Sequence, residues 1–329
     1  MKPTKNLPND FGIIYNLFIY YIMANYIIKL YLVSTIFLIL ISLNSFVFAD
    51  YRKDVDLEFL KQSDNADLEV LIKYLISDKD GNERFTELLT YNEKYKKHYP
   101  NHRKYWDLIA AEFQLYGGNS FMNIYRGDKG ILYREILIDV IDEFDVIYDA
   151  SMTTEEIEIS LLAKILQDSL KNVDDRKIRE ENEEVRTCLI ILKKLPSDAK
   201  LASAMRTCMK NLDFKYKIAT NVAKLTAKKL GVNLTTKAIL IKVIGRAGLL
   251  ISLVMDVISI SDPAYRVTVP SVIQIAYIRQ KLAYIAYMRK SQKNNNYYKI
   301  MGYVVFLVLL IGGIIVFLNK RRRARIKSG

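Results

Sequence analysis

Proline and glycine are scarce in this chain, which has six prolines and thirteen glycines among its 329 residues. Both residue types punctuate strands and turns, so their scarcity favours long helices over a strand-and-turn architecture. Apolar residues make up 51% of the chain and charged residues 26%, a balance that allows a real core to be buried. The sequence therefore predicts an all-α fold with one multi-helix globular domain.

Histidine is also rare, and His98 and His102 stand four residues apart with Pro100 between them. A proline there disfavours the single helical face on which such a pair binds zinc. The sequence has no glycine-rich phosphate loop and no G-x-S-x-G elbow. We therefore predict no metal, no cofactor and no catalytic residues. A non-enzymatic protein is favoured, with an enzyme of unspecified kind as the alternative.

The chain has two cysteines, Cys188 and Cys208, which are too few for a disulfide scaffold. They could form one bridge if they lie on adjacent antiparallel helices. We expect two free, buried thiols instead.

Acidic residues are absent from Pro263–Gly329, a region that holds thirteen basic residues. The other 36 basic residues balance the 36 acidic residues of Met1–Asp262, so the net charge of +13 belongs to the C-terminal region alone. Such a distribution is typical of contact with anionic lipid headgroups and argues against a nucleic-acid partner. The residues predicted to contact lipid headgroups are Lys320, Arg321, Arg322, Arg323 and Arg325.

A long uncharged run lies near the C-terminus, where Ile300–Asn319 spans twenty residues without a charge. At 1.5 Å per residue this length matches the apolar core of a bilayer. Tyrosines precede the run and a dense basic cluster follows it, as in a spanning helix. We therefore predict a transmembrane helix at residues 300–319, a basic tail at 320–329 and a basic, tyrosine-rich juxtamembrane helix at 263–299.

Two further uncharged runs lie at the N-terminus, Phe11–Ile28 and Leu30–Ala49, separated by Lys29. The lysine, the second apolar run and the small residues before Asp50 resemble a secretory signal. Residues 1–49 are therefore predicted to be a cleaved signal peptide or an uncleaved anchor. The first alternative gives a single-pass protein and the second gives a two-pass protein.

The basic tail predicts the orientation, because basic residues are enriched on the cytoplasmic side of spanning helices. Six basic residues between Arg279 and Lys299 precede the span and favour the opposite orientation, but the downstream cluster is denser. We therefore expect the body, residues 50–262, on the non-cytoplasmic side of the membrane and the tail in the cytoplasm.

Two local patterns stand out within the body. Thr153 and Glu156 form a capping-box pattern, which predicts the start of a helix. Ala238–Ser261 is almost wholly apolar and is interrupted by three charged residues. We expect a buried central helix at Ala238–Ser261, and the alternative is a segment that inserts into a membrane.

Two clusters in the body have more distinctive sequences than an ordinary amphipathic helix. They are the tract Tyr99–Val140, with its YWD, GGN and YREIL blocks, and DPAYRVTVPSVIQIAYIRQ (Asp262–Gln280). Two shorter motifs accompany them, DLEFL (Asp56–Leu60) and TTEEIE (Thr153–Glu158). In their order along the chain, these motifs resemble those of the YaaW-like family of bacterial proteins. The resemblance runs from about Asp56 to Gln280 and covers most of the body.

The resemblance implies an uncharacterised family, from which no catalytic residue can be carried over. The family is similar in part to the ubiquinol–cytochrome c chaperone family, whose members assist the assembly of a respiratory membrane complex, and this similarity implies a chaperone. The resemblance to the YaaW-like family also implies residence in the cytoplasm. The hydrophobic ends of this chain depart from the family pattern and favour a membrane location.

From these observations we predict a membrane-anchored, non-enzymatic protein of the chaperone or assembly type, with membrane lipids and other proteins as its partners. Its predicted interaction surface surrounds the sole tryptophan and comprises Tyr105, Trp106, Asn119, Arg126 and Arg134. The alternative is that Trp106 and the GGN turn are core and turn elements. A second functional hypothesis is a pore-forming or effector-like protein that inserts Ala238–Ser261 into membranes.

Overall fold

The computed structural model describes residues 10–42, 50–77, 84, 89–117, 130–171, 173–194, 208, 210–232, 234, 254 and 264–327. Within these residues every regular element is a helix, which confirms the all-α prediction. The chain divides into two compact units, Met1–Phe48 and Ala49–Gly329.

The N-terminal unit contains one long helix, α1 (Asp10–Ser42). Its segment Ile19–Ile36 has a mean hydropathy of 1.3 and is entirely unburied. Among the described residues, it is the one segment that is long and apolar enough to cross a membrane. A leader sequence and a membrane span both have these properties, so α1 fits either form of the predicted N-terminal segment.

The second unit contains nine described α-helices and three short 3-10 helices. The α-helices are α2 (Asn65–Ile76), α3 (Glu93–His98), α4 (Trp106–Gly117), α5 (Tyr133–Glu143), α6 (Thr154–Leu170), α7 (Asp175–Ile178), α8 (Glu183–Lys194), α9 (Leu212–Lys229) and α10 (Tyr265–Lys327). The 3-10 helices are Glu58–Gln62, Leu89–Tyr91 and His102–Tyr105.

The start of α6 follows from local side-chain chemistry. The Glu156 backbone N–H donates to Thr153 Oγ1 at 3.3 Å, and the Thr153 backbone N–H donates to Glu156 Oε2 at 2.7 Å. Both bonds satisfy amides that the first helical turn leaves without carbonyl partners. The predicted capping box is therefore confirmed. At the end of α9, Gly231 adopts a φ of +70°, which glycine accepts without strain.

The charged run Asp174–Arg186 forms α7 and the beginning of α8. The two helices are separate because the Asn182 side chain accepts a hydrogen bond from the Val185 backbone N–H at 3.0 Å. Asn in this position caps the start of a new helix instead of continuing the previous one.

The two cysteines form a disulfide, so the expectation of free thiols was wrong. Cys188 lies on α8 and Cys208 lies shortly before α9, with 5.7 Å between their Cα atoms. That separation is within the range that a disulfide requires. The bond therefore links the middle of α8 to the residues just before α9.

The centre of the body is the first part of α10. This part packs against α2, α4, α5, α6 and α9, and its buried apolar residues are Val267, Val269, Val272, Ile273, Ile275, Ala276, Tyr277 and Ile278. The same helix then leaves the body, since Ala286–Lys293 is exposed. Ala238–Ser261, the expected central helix, lies outside the described residues apart from Val254, which is buried.

Candidate functional site

The sequence motifs meet at Arg279, which lies on the buried part of α10. Its Nε atom donates to Glu158 Oε2 at 2.9 Å, and Glu158 lies in the TTEEIE motif at the start of α6. The other carboxylate oxygen of Glu158 accepts a hydrogen bond of 2.6 Å from the hydroxyl of Tyr133, the first residue of α5. The Glu158 and Tyr133 side chains are fully buried. Three motifs that are far apart in the sequence therefore share one carboxylate.

The DLEFL motif binds to the other side of Arg279. The Arg279 Nη2 atom donates to the backbone carbonyl of Asp56 at 2.8 Å, and its guanidinium lies 4.3 Å from the centre of the Phe59 ring. Such stacking of a cation on an aromatic face is itself attractive. The Asp56 carboxylate accepts from the Thr154 hydroxyl at 2.7 Å. DLEFL is thereby fastened to both α6 and α10.

Asp54 extends this arrangement to α5. Its Oδ2 atom accepts from the backbone N–H of Tyr133 at 2.6 Å, and its Oδ1 atom accepts from the backbone N–H of Asp56 at 2.9 Å. Tyr133 has no intrahelical partner for this N–H because it begins α5. We call Asp54, Asp56, Tyr133, Glu158 and Arg279 the Arg279 network.

A second ion pair lies two residues further along α10. The Lys281 Nζ atom lies 2.7 Å from Asp67 Oδ2 and 2.9 Å from Asp64 Oδ2. Gln274 donates from its amide to the Asp67 backbone carbonyl at 2.9 Å. The polar residues of the buried stretch of α10 therefore also hold α2.

The electrostatics of the Arg279 network depend on burial. Burial raises the pKa of the Glu158 carboxyl, and the Arg279 guanidinium and the Tyr133 hydroxyl limit that rise because they stabilise the carboxylate. Burial also raises the pKa of the Tyr133 hydroxyl, and the neighbouring Glu158 carboxylate raises it further. Burial lowers the pKa of Arg279, but the combined attraction of Glu158, Tyr133 and Asp56 outweighs it, so the pKa of Arg279 is raised. Tyr133 is therefore a neutral donor at physiological pH.

A separate buried cluster contains the only histidine among the core residues, His102. Its Nε2 atom lies 2.7 Å from Glu69 Oε2 on α2, and its Nδ1 atom shares a hydrogen bond with the Tyr105 hydroxyl. The Tyr99 ring lies edge-on to the imidazole, with 5.7 Å between ring centroids. Burial lowers the pKa of His102, although Glu69 acts in the opposite direction. The imidazole is therefore held neutral between a carboxylate and a phenol.

These two clusters make structural connections between helices. Each charged group of the Arg279 network faces a partner of opposite charge or a hydrogen-bonding group, which is what makes a buried charge tolerable. Within the part of the chain that the structure describes, no three His, Cys, Asp or Glu side chains lie together as ligands for a metal ion. The Arg279 network holds α5, α6 and α10 against the DLEFL segment.

The predicted interaction residues have different positions in the structure. Tyr105 is fully buried, so its ring belongs to the core. Trp106 is half-buried at the start of α4, edge-on to Tyr51 with 5.2 Å between ring centroids. Arg134 donates to the Met152 backbone carbonyl at 2.7 Å and so holds the turn before α6.

Asn119 and Arg126 lie outside the described residues. The predicted lipid contacts lie on the last turns of α10, and they are Lys320, Arg321, Arg322, Arg323 and Arg325.

The sequence interpretation did not single out Arg279 and Glu158. A usable signal was present, because Gln274, Arg279 and Gln280 interrupt an otherwise apolar run, VIQIAYIRQ. Polar side chains at buried helical positions need hydrogen-bond partners, and such partners come from other elements. The signal identifies Arg279 as a buried group but does not identify its partner.

Comparison with known proteins shows similarity over most of the body. Residues 51–85 match the family described as a domain of unknown function (DUF3944). A UPF0174 protein of Helicobacter pylori strain J99 is 39% identical over 239 residues, which cover 70% of this chain and 93% of the relative. The UPF0174 protein YaaW of Escherichia coli strain K12 is 32% identical over 244 residues, which cover 71% of this chain and 97% of the relative.

The resemblance to the YaaW-like family, predicted from four motifs, is thus confirmed. The partial similarity to the ubiquinol–cytochrome c chaperone family finds no support in these comparisons. No solved structure matches the chain.

Proposed function

The chain belongs to the UPF0174 family, and we propose that this member is a membrane-anchored, non-enzymatic protein of the chaperone or assembly type. The observation that carries the proposal is the continuity of α10. Its 63 residues run without interruption from the core of the body into the apolar C-terminal segment, a length of about 95 Å. A helix of this kind attaches the body to its anchor rigidly, in contrast to a flexible linker.

The exposure of the apolar segment supports the anchor. The large apolar side chains described there are all exposed in this unit, and they are Ile300, Met301, Tyr303, Phe306, Leu307, Leu310 and Ile311. Transfer of each such side chain from water to an apolar environment contributes about 1.5–3 kcal/mol. A bilayer would supply that environment over the twenty uncharged residues Ile300–Asn319. The basic cluster after Asn319 would then stop the helix at the far surface.

The disulfide supports a non-cytoplasmic body. Disulfides persist in oxidising compartments and are rare in the reducing cytosol. The bond between Cys188 and Cys208 lies in the body, whereas the basic tail favours the cytoplasm. Both features agree with a chain whose apolar C-terminal segment crosses the membrane once and whose tail is cytoplasmic. The exposed α1 then serves as the leader or as a second span.

The Arg279 network supports a non-enzymatic role. Glu158 and Tyr133 are buried and bonded to each other, and Arg279 is bonded to Glu158 and to Asp56. These groups therefore hold helices together and do not meet a substrate. Trp106 and Tyr51 form a half-buried aromatic pair at the surface of the body. Half-buried aromatic side chains of this kind are enriched where proteins bind each other.

Topology mapping of the full chain tests the anchor and the compartment together. Bacterial cells expressing the chain with a C-terminal epitope are converted to spheroplasts and treated with protease. We expect the body to be digested and the epitope to stay protected until detergent is added. N-terminal sequencing then separates a cleaved leader from an uncleaved anchor. A body that survives protease in intact spheroplasts, or a chain that alkaline carbonate releases from membranes, would overturn the proposal.

A further inference from the structure

The part of α10 between the body and the apolar segment has a basic side. We call this part, Ala286–Lys299, the stalk. Arg289, Lys290 and Lys293 are exposed, and at 100° per residue they lie within about 100° of one another around the helix. Tyr284, which directly precedes the stalk, lies on the opposite side by the same geometry.

The contact of Tyr284 with the body fixes the direction of the basic side. The Tyr284 ring stacks on Tyr216 of α9, with 4.7 Å between ring centroids. The side of the helix that carries Tyr284 therefore faces α9, and the side with Arg289, Lys290 and Lys293 faces away from it. The body does not shield these charges.

No acidic residue of the same helix can neutralise the stalk. Pro263–Gly329 contains no Asp or Glu, so the ion pairs with residues three or four positions away that stabilise solvent-exposed helices cannot form. Lys299 is exposed as well and directly precedes Ile300, the first residue of the apolar segment. A helix with exposed, unneutralised bases next to an apolar segment is a suitable ligand for an anionic surface.

The rise of the helix sets the distance of each basic residue from the start of the apolar segment. Lys293 lies about 9 Å and Arg289 about 15 Å before Lys299 along the axis. Anionic headgroups attract basic residues within roughly one Debye length, about 8 Å at physiological ionic strength. Lys299 and Lys293 thus lie within reach of the headgroups in an upright helix, and a modest tilt toward the basic side adds Lys290 and Arg289.

We propose that the basic side of the stalk, Arg289, Lys290 and Lys293, together with Lys299 at the end of the stalk, binds anionic phospholipid headgroups in the leaflet next to the body. This inference rests on the proposed anchor and goes beyond the lipid contacts of the C-terminal tail, because the stalk precedes the apolar segment. The protein would then bind anionic lipid on both sides of the membrane.

The test uses the full chain, reconstituted into nanodiscs of phosphatidylcholine mixed with phosphatidylglycerol. The measured quantity is the enrichment of phosphatidylglycerol among the lipids that stay bound in native mass spectrometry. The variant Arg289→Gln/Lys290→Gln/Lys293→Gln loses three charges that each contribute about fivefold near a surface. We expect its enrichment to fall to about half, because the C-terminal tail still binds phosphatidylglycerol in the other leaflet.

The matched control removes three exposed lysines of the body, in the variant Lys210→Gln/Lys228→Gln/Lys229→Gln. It has the same net charge as the stalk variant, and we expect its enrichment to equal that of the unaltered chain. Equal enrichment in the stalk variant and the control variant would overturn the inference. The proposed anchor would still stand in that case if the chain resists extraction by alkaline carbonate. Binding of a DNA duplex that only the stalk variant loses would also overturn it, in favour of a nucleic-acid surface.

Discussion

Arg279 and Glu158 are separated by 121 residues in the sequence and form an ion pair with 2.9 Å between Nε and Oε2. The carboxylate is fully buried, and the arginine side chain is 18% exposed. Removal of one partner from such a pair leaves the other charge buried without compensation. The pair is therefore a point at which a single substitution should unfold much of the body.

We predict that Arg279→Met lowers the free energy of unfolding by about 3–5 kcal/mol. The double variant Arg279→Met/Glu158→Leu should recover part of that loss, because no buried charge then lacks a partner. Denaturant titration of the detergent-solubilised full chain, followed by the fluorescence of the sole tryptophan, measures both changes.

The exposed ion pair between Lys61 and Glu58 is the control for the Arg279 and Glu158 variants. Its two atoms lie 3.3 Å apart, but its side chains are 49% and 36% exposed. Lys61→Met should therefore cost less than about 1 kcal/mol. A cost for Arg279→Met that is no larger than this would show that the buried pair does not hold the helices together.

Reduction of the disulfide should destabilise the body by about 3 kcal/mol, since the bond closes a loop of about twenty residues. Cys188→Ser and Cys208→Ser should each give the same loss, because either one removes the same bond. Thermal unfolding with and without dithiothreitol measures the effect. Reductant should have no further effect on either variant, and an additive effect would be inconsistent with the bond between Cys188 and Cys208.

The features that sequence alone predicted are those that depend on neighbouring residues. The capping box at Thr153 places its donors and acceptors within three residues. The family resemblance was likewise recognisable, because it depends only on the order of motifs. These local signals were sufficient for the helical class and for the start of α6.

The contacts that form the Arg279 network could not be predicted in this way. Arg279 bonds to Asp56 across 223 residues, and no periodic pattern encodes a partner at that distance. Tyr105 shows a second difficulty. It ends a 3-10 helix directly before α4, so the helical period that would place its side chain inside or outside changes at that residue.

The stability of the protein should depend on pH through His102. Burial lowers the pKa of the folded imidazole below its ordinary value of 6.5, so the unfolded chain binds more protons as the pH falls below that value. Stability is therefore fully present above about pH 6.5 and is lost as the pH falls toward the folded pKa. Thermal melts between about pH 7.5 and pH 5 measure this slope.

Histidine variants separate this slope from the titration of carboxylates. His102→Gln should lower the stability at neutral pH and flatten the slope, because glutamine does not titrate. His98→Gln is the comparison variant, since His98 lies at the end of α3 and is more exposed than His102. Its pKa is also lowered, by partial burial and by Lys104, Lys97 and Lys94, so it should flatten the slope less than His102→Gln. A slope that is unchanged in His102→Gln, or equally flattened in His98→Gln, would contradict the assignment.

Trp106 should contribute to binding of a partner more than to folding. The ring is half-buried and packs edge-on against Tyr51, so Trp106→Ala should cost roughly 1–2 kcal/mol of stability and leave a cooperative melt. Truncation of an aromatic anchor at the centre of an interface removes at least about 2 kcal/mol of binding free energy. We therefore expect cross-linking of the full chain to its partner in native membranes to fall at least about tenfold.

The comparison variant for Trp106 is Ile147→Ala, which truncates a large apolar side chain that is 60% exposed elsewhere on the body. It should retain both the melt and the cross-linked product, because an isolated exposed apolar residue does not imply an interface. Unfolding of Trp106→Ala would instead assign the tryptophan to the core. In that case Tyr105 and Trp106 would both stabilise the junction between the 3-10 helix and α4, and a surface that binds partners would have to lie elsewhere on the body.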